Sequence, residues 1–306
     1  MRTGFLAQVP ERVRVVEVGP RDGLQNESAF VPTEDKVRFV EMLADAGLPE
    51  IEVSSFVSPK RVPQLADAEE VFARLPERPG VRYSALVPNA KGLERALAAG
   101  VRAIALFTAA SETFNQKNIG MTIAESLEGF RALLPAARAH SLRVRAYVST
   151  AFVCPYEGEI APEKVASIVR ELVEMDMEEV SIGDTIGHAT PDGVACLTEA
   201  LRPVLPLERM AYHFHDTRGA ALANVLMALQ YGVSIFDSAA GGTGGCPFAP
   251  GAAGNLATED LLGLLHGMGI ETGVDLEKVA AASRFLESRL GHPLTSKYLQ
   301  AIGSPP

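Results

Sequence analysis

Two histidines near residue 214 have a spacing that suits joint chemistry. The stretch AYHFHDTRG covers residues 211–219 and places His213 and His215 two positions apart. In an extended strand, residues i and i+2 point to the same face, so both imidazoles would face one way. Taken alone, this pair fits a buried core position as well as a metal site. Asp216 follows directly and is expected to fix the tautomer of one imidazole.

A carboxylate and an amide from elsewhere in the chain would complete a mixed nitrogen and oxygen ligand set. The candidates are Asp22, in EVGPRDGLQNE, and Asn255, at the end of GGTGGCPFAPGAAGN. Such ligands leave room for substrate oxygens and suit Mg²⁺ or Mn²⁺ better than Zn²⁺, because no thiolate is required. We therefore predict a divalent-cation site that joins Asp22 and Asn255 to His213 and His215.

Arg21 and Cys246 are two further residues that could take part in a reaction. PRDG is a common turn composition, and an exposed Arg–Asp pair in a turn is the simpler interpretation of Arg21. At the mouth of a barrel, however, a permanently charged guanidinium can hold a carboxylate or an enolate oxygen. Cys246 stands between Gly245 and Pro247 in a glycine-dense loop, and such a loop can close over a ligand and bring a thiol to it.

Strands and helices alternate along the chain in the rhythm of an α/β protein, a (β/α)8 TIM barrel. Eight β-rich runs begin near residues 13, 50, 81, 101, 142, 178, 209 and 233, with amphipathic stretches between them. A doubly wound sheet fits less well, because no G-x-G-x-x-G follows the first strand and no P-loop occurs. We expect one catalytic domain over residues 1–306, with the barrel at about 13–270 and an extra C-terminal helical segment at 274–306.

Polar residues recur at the carboxyl ends of the predicted strands, where barrels of this type carry their active sites. Glu52 and Asp184 fit structural ion pairs as well as a supporting role behind the ligands. The residues expected to contact substrate, besides Arg21, are Gln25, Ser55, Ser181 and Thr185.

Composition and charge exclude several classes of partner. The net charge of −10 is spread along the 306 residues, which argues against nucleic acid or an anionic membrane surface. The longest nearly apolar run is far shorter than a membrane span. Three cysteines at irregular spacing do not form a disulfide framework, and a reducing cytoplasm is the expected location.

Six stretches of the chain resemble hydroxymethylglutaryl-CoA lyases, from about residue 13 to about residue 280. They are EVGPRDGLQNE, IEVSSFVSPKRVPQLADAEEV, YVSTAFVCPYEGEI, SIGDTIGHATP, HFHDTRGAALAN and GGCPFAPGAAGNLATEDL. RDG alone would indicate only the wider superfamily of metal-dependent lyases and synthases on TIM barrels. GLQNE, SFVSPK and the cysteine loop together are more specific for the lyase branch.

The resemblance implies cleavage of 3-hydroxy-3-methylglutaryl-CoA into acetoacetate and acetyl-CoA, as in leucine degradation, with Mg²⁺ or Mn²⁺. It also implies an acyl-CoA substrate and a homodimer or larger homo-oligomer. The implied metal ligands are Asp22, His213, His215 and Asn255. Arg21 is implied to contact the substrate, and Cys246 to be the catalytic thiol. The other residues implied are Glu52, Asp184 and Glu259 as functional acids and Asn118 near coenzyme A.

Three questions stay open on the sequence alone. The base that takes the substrate hydroxyl proton is either Asp22 or His213. The substrate is either the methyl compound or a longer one such as 3-hydroxy-3-isohexenylglutaryl-CoA. The reaction is either cleavage or a Claisen-type condensation, as in the isopropylmalate and homocitrate synthases. A catalytically silent binding barrel is disfavoured, because it would have no use for the whole set of predicted site residues.

Overall fold

Eight parallel strands close into a barrel, as predicted. The structure is a computed structural model and describes residues 9–244 and 254–303. Successive strands β1 to β8 are neighbours around the barrel, and β8 pairs with β1 to close it. Their bounds are Arg14–Glu17, Glu50–Ser55, Arg82–Leu86, Ala103–Ala109, Arg143–Ser149, Glu179–Asp184, Met210–Phe214 and Ile235–Ser238.

Helices follow the strands and form the outer layer. A single helix follows most strands, whereas α4 and α5 both lie between β4 and β5, and a short hairpin follows β5. Helices α1 to α9 span Thr33–Asp45, Ala68–Arg74, Ala90–Ala98, Glu112–Ile119, Ile123–Ala139, Pro162–Glu174, Pro191–Leu201, Ala221–Gln230 and Thr258–Gly267. Among the described residues, no helix has the length and apolar character needed to cross a membrane.

The expected C-terminal helical segment consists of two helices after the eighth unit. Helix α10 spans Leu276–Leu290 and packs against α1, while α11 spans Lys297–Ile302 and packs against α9. Helix α10 ends at Gly291, whose φ of 75° is readily adopted by glycine.

The alternation of side chains along the strands explains both the core and the polar interior. In β5, Val144, Ala146 and Val148 are buried and belong to the main apolar core of the molecule. Arg145 and Tyr147 alternate with them and reach residues of β8 and β2, which are not neighbours of β5. Because successive side chains of a strand point to opposite faces, the polar set lies inside the barrel.

Candidate active site

A wide turn after β1 carries Arg21 and Asp22. Residues Gly19–Gly23 form one π-helical turn, in which the backbone N–H groups of Asp22 and Gly23 donate to the Val18 carbonyl at 2.7 and 3.3 Å. π-Helical turns are rare and are frequently found at functional sites. Arg21 is only 6% exposed, so the interpretation of PRDG as a surface turn is wrong.

The two imidazoles share one face, as their spacing predicts. His213 lies in β7 and His215 directly follows that strand, with their Nε2 atoms 3.2 Å apart. The Nε2 atom of His213 lies 3.9 Å from Oδ2 of Asp22. The turn after β1 and the end of β7 therefore meet at one point of the barrel mouth.

Asn255 joins this group through an isolated antiparallel bridge with His215. Its Nδ2 donates to Oδ2 of Asp22 at 2.9 Å and to the carbonyl oxygen of Thr243 at 3.1 Å. Gly244 permits this approach, since a Cβ atom there would lie 2.9 Å from Asn255 Nδ2 and its φ is +90°.

The chemistry of this cluster fits a divalent cation. Asp22, His213 and His215 each offer a ligand atom, and these atoms lie within 4.8 Å of one another. Oδ1 of Asn255 is buried and has no hydrogen-bond partner in the part of the chain that the structure describes, so it could serve as a fourth ligand atom, an oxygen. Burial, together with His213, lowers the pKa of His215 to about 3, which keeps this imidazole neutral as a metal ligand must be.

Arg21 pairs with two acids and helps to keep one of them, Asp22, ionised. Its guanidinium donates to Glu52 and to Asp22. Burial alone would raise the pKa of Asp22, but Arg21 and the two imidazoles hold it well below the usual range. Asp22 is therefore an anion. Glu52 pairs with Arg21, as one of the two sequence interpretations expected, and lies behind the cluster.

Tyr147 is a residue of the site that sequence reasoning missed. Its hydroxyl donates to Oε2 of Glu52 at 3.0 Å, and its ring meets that of His213 edge-on at a centroid distance of 6.2 Å. The guanidinium carbon of Arg21 lies 5.6 Å from the ring centroid. The polar residues that alternate in RVRAYVS are the signal that could have identified it.

The expectation for Asp216 is wrong. Its Oδ1 accepts the backbone N–H of Ala221 at 3.0 Å, at the start of α8, because it stands one residue beyond His215 and leaves the imidazole face. The carboxylate beside an imidazole is instead Asp237, whose Oδ2 lies 3.3 Å from Nδ1 of His213. Asp237 and His213 are register partners in β8 and β7.

The four residues expected to contact substrate have different positions. Gln25 reaches the cluster, where its Nε2 donates to Oδ1 of Asp22 at 2.8 Å. Ser181 borders it and donates to Oδ2 of Asp237 at 2.8 Å. Ser55 and Thr185 accept backbone N–H groups, from Val57 at 3.3 Å and Thr150 at 2.7 Å.

Asp184 and Glu259 accept backbone N–H groups of nearby loops and not hydrogen bonds from the four clustered residues. Asp184 accepts the N–H groups of His188 and Ala189, and burial raises its pKa to about 6. Glu259 accepts the Gly241 N–H at 2.9 Å, and burial raises its pKa to about 7. Both acids thus support loops of the barrel mouth. Asn118 is exposed on α4, and Cys246 lies outside the described residues.

Comparison with known proteins shows the family. A family model described as HMGL-like matches residues 12–286. The chain belongs to this family. It is 50% identical over 299 residues to the mitochondrial hydroxymethylglutaryl-CoA lyase of Rattus norvegicus, which covers 98% of this chain and 92% of the relative. It is 51% identical over 294 residues to a Pseudomonas aeruginosa protein named 3-hydroxy-3-isohexenylglutaryl-CoA/hydroxy-methylglutaryl-CoA lyase, covering 96% of this chain and 98% of that one.

Solved structures of HMGL-like family members have the same fold. The hydroxymethylglutaryl-CoA lyase from Pseudomonas aeruginosa superposes with a TM-score of 0.95 at 51% identity, covering 96% of this chain and 98% of that one. An HMG-CoA lyase from Acinetobacter baumannii, in complex with coenzyme A and 3-methylmalate, gives a TM-score of 0.91 at 39% identity. That comparison covers 98% of this chain and 97% of the other.

Proposed function

We propose that this protein is a divalent-metal-dependent carbon–carbon lyase that cleaves 3-hydroxy-3-methylglutaryl-CoA into acetoacetate and acetyl-CoA. The observation that carries the proposal is the convergence of Asp22, His213, His215 and Asn255 beside Arg21 at the barrel mouth. Relatives named as lyases of this substrate, at about 50% identity over nearly the whole chain, support it.

In this proposal the four clustered residues hold Mg²⁺ or Mn²⁺. The bound cation would lower the pKa of the substrate hydroxyl and orient the bond that breaks. Gln25 supports Asp22 by its hydrogen bond, and Glu52 keeps Arg21 in place from behind. Ser55, Ser181 and Thr185 stay candidates for the acyl group, and Asn118 for the coenzyme A arm.

The reaction then proceeds as a retro-aldol cleavage. A base, Asp22 or His213, takes the proton of the C3 hydroxyl, and the electron pair of that O–H bond forms the ketone of acetoacetate. The carbon–carbon bond breaks, and its electron pair becomes the enolate of the acetyl thioester. Arg21 stabilises this anion, and the Cys246 thiol donates the proton that completes acetyl-CoA.

The direct test is incubation of the purified protein with 3-hydroxy-3-methylglutaryl-CoA and Mg²⁺, followed by detection of acetoacetate and acetyl-CoA. Exhaustive chelation should abolish the reaction, and Mg²⁺ or Mn²⁺ should restore it. Asp22→Asn should remove activity, while the matched control Asp216→Asn should keep it, because Asn can still accept the Ala221 N–H. Full activity after chelation would contradict the proposal.

A second candidate substrate is 3-hydroxy-3-isohexenylglutaryl-CoA. The Pseudomonas aeruginosa relative, whose name includes both substrates, favours it. Acetyl-CoA release, measured side by side from the two thioesters, shows whether the enzyme accepts only one of these substrates or both. Release from neither, with net condensation of acetyl-CoA and an oxo acid, would point instead to a synthase.

We further propose that residues 1–306 form one catalytic domain, that the protein works as a homodimer or larger homo-oligomer, and that it is cytoplasmic. Relatives with mitochondrial and with cytoplasmic names both match the chain. Light scattering of the purified protein measures the oligomeric state, and a monomer would contradict the proposed homo-oligomer.

A further inference from the structure

The interior of this barrel is unusual because it contains a column of charged side chains where apolar side chains are usual. The column consists of Glu179, Arg145 and Asp237. Barrels of this class are normally filled by layers of branched apolar side chains. Here Arg145 lies between two acids, with its Nε 2.7 Å from Glu179 and its Nη2 bound to Asp237. The column continues from Asp237 to His213, and so connects the middle of the barrel to the predicted cation site.

Asp237 is held by contacts on both of its oxygens. Oδ1 accepts from Arg145, and Oδ2 accepts from Ser181 at 2.8 Å. The residue is 1% exposed, and a buried carboxylate is tolerated only when it is paired and hydrogen-bonded. The ion pair with the guanidinium of Arg145 favours the ionised form of this carboxylate.

The two imidazoles of the cluster differ in what lies behind them. Both Nδ1 atoms are buried without a hydrogen bond of regular geometry among the described residues, but a carboxylate oxygen, Oδ2 of Asp237, lies 3.3 Å from that of His213. An acidic acceptor behind a ligating imidazole selects the tautomer that frees the other ring nitrogen. That nitrogen, Nε2 of His213, is the one that faces His215 and Asp22.

We infer that Asp237, anchored by Arg145, is a positioning residue that accepts a hydrogen bond from the Nδ1–H of His213 and so leaves Nε2 unprotonated and free for the cation. This inference rests on the proposed metal-dependent function, although the tautomer exists in the metal-free protein. Asp237 touches neither substrate nor cation in this account and acts only through His213.

The test is the tautomer of His213 in metal-free protein labelled with ¹⁵N-histidine. Long-range ¹H–¹⁵N correlation spectra should show wild-type His213 protonated at Nδ1, with the signal assigned from its loss in His213→Gln. In Asp237→Asn, the amide oxygen should face Arg145, because a guanidinium can only donate hydrogen bonds. The amide NH₂ group, which is a donor, would then face Nδ1 of His213. We expect the ring to be protonated at Nε2 and Mn²⁺ binding to weaken about 10–100-fold.

Glu179→Gln is the matched control, since it removes a carboxylate charge from the same column without touching His213. It should keep both the Nδ1 tautomer and the Mn²⁺ affinity. A wild-type His213 protonated at Nε2, or an Asp237→Asn protein with unchanged tautomer and Mn²⁺ affinity, would overturn the inference. If Asp237→Asn fails to fold, the wild-type spectrum still decides.

Wild-type Mn²⁺ binding and thioester cleavage, measured first, separate the two proposals. A wild-type protein that binds Mn²⁺ and cleaves the thioester, with Asp237→Asn unaffected, refutes only the role of Asp237. A wild-type protein that binds no Mn²⁺ refutes the proposed function itself.

Discussion

The two ends of the barrel interior both carry charged groups, but the two ends differ in how those groups are partnered. At the amino-terminal end, Glu50 binds Arg14 at 2.8 Å and Arg82 at 2.7 Å, and Arg14 also pairs with Glu179. At the carboxyl end, Oδ1 of Asn255 is buried and has no hydrogen-bond partner within residues 9–244 and 254–303. Leaving a buried acceptor unsatisfied costs about 1–3 kcal/mol. Ion-paired charges therefore mark the end that stabilises the fold, and an unsatisfied buried acceptor marks the end that is proposed to bind the cation.

The largest effect should come from the carboxyl end. His213→Ala removes one proposed ligand, and we expect turnover of the thioester to fall by about 10³-fold or more and Mn²⁺ binding to weaken in parallel. Steady-state kinetics and calorimetric Mn²⁺ titration measure the two. Turnover lost at unchanged Mn²⁺ affinity would mean that His213 serves only as the base.

The next effect separates proton transfer from metal binding at that same end. Cys246→Ser replaces the proposed donor with a much weaker acid, and turnover should drop by about 10²–10⁴-fold. Mn²⁺ affinity should stay near that of wild type, because the thiol is not among the proposed ligands. Unchanged turnover in this variant would remove the thiol from the mechanism.

A smaller effect is expected at the amino-terminal end, and it should be of a different kind. Glu50→Gln leaves Arg14 and Arg82 without a full partner, and we expect the free energy of unfolding to fall by about 1–3 kcal/mol. Urea unfolding measures this loss. Mn²⁺ affinity should be unchanged, and a variant that loses Mn²⁺ binding while remaining folded would contradict the division between the two ends.

A last effect, which is seen only as a change of stability with pH, concerns Glu17, whose carboxylate accepts the backbone N–H groups of Gly19 and Ala240. Burial raises its pKa to about 8, from an ordinary value of 4.5. The folded state thus holds this proton more tightly than the unfolded chain, so stability falls as pH rises from about 4.5 to about 8. The slope is at most about 1.4 kcal/mol per pH unit.

Glu17→Gln, a neutral isostere, should flatten that decline and gain stability relative to wild type between about pH 6 and about pH 8. Urea unfolding at several pH values measures the slope. The control is Glu128→Gln, an exposed position on α5, which should leave the slope unchanged. Equal slopes in wild type and Glu17→Gln would show that Glu17 does not carry the pH dependence.

Asp216 and Asp237 show where sequence reasoning reached its limit. Asp216 was assigned to an imidazole because it adjoins His215 in the chain, but neighbouring residues of a strand point to opposite faces. Asp237 lies 24 positions after His213 and meets it only because β7 and β8 are paired in that register. Its signal is a single acid in the short strand IFDS, and no local pattern links that acid to a particular histidine.

By itself the sequence determined the barrel, the shared face of His213 and His215, and the ligand types available near the carboxyl ends of the strands. These follow from local periodicity, from strand alternation and from motifs typical of the HMGL-like family. Only the tertiary structure decided that Arg21 is buried against Glu52, that Tyr147 borders the site, and that Asp237 lies behind His213. The physical reason is that these contacts join strands and turns far apart in the chain, and the register and closure of the barrel set their distances.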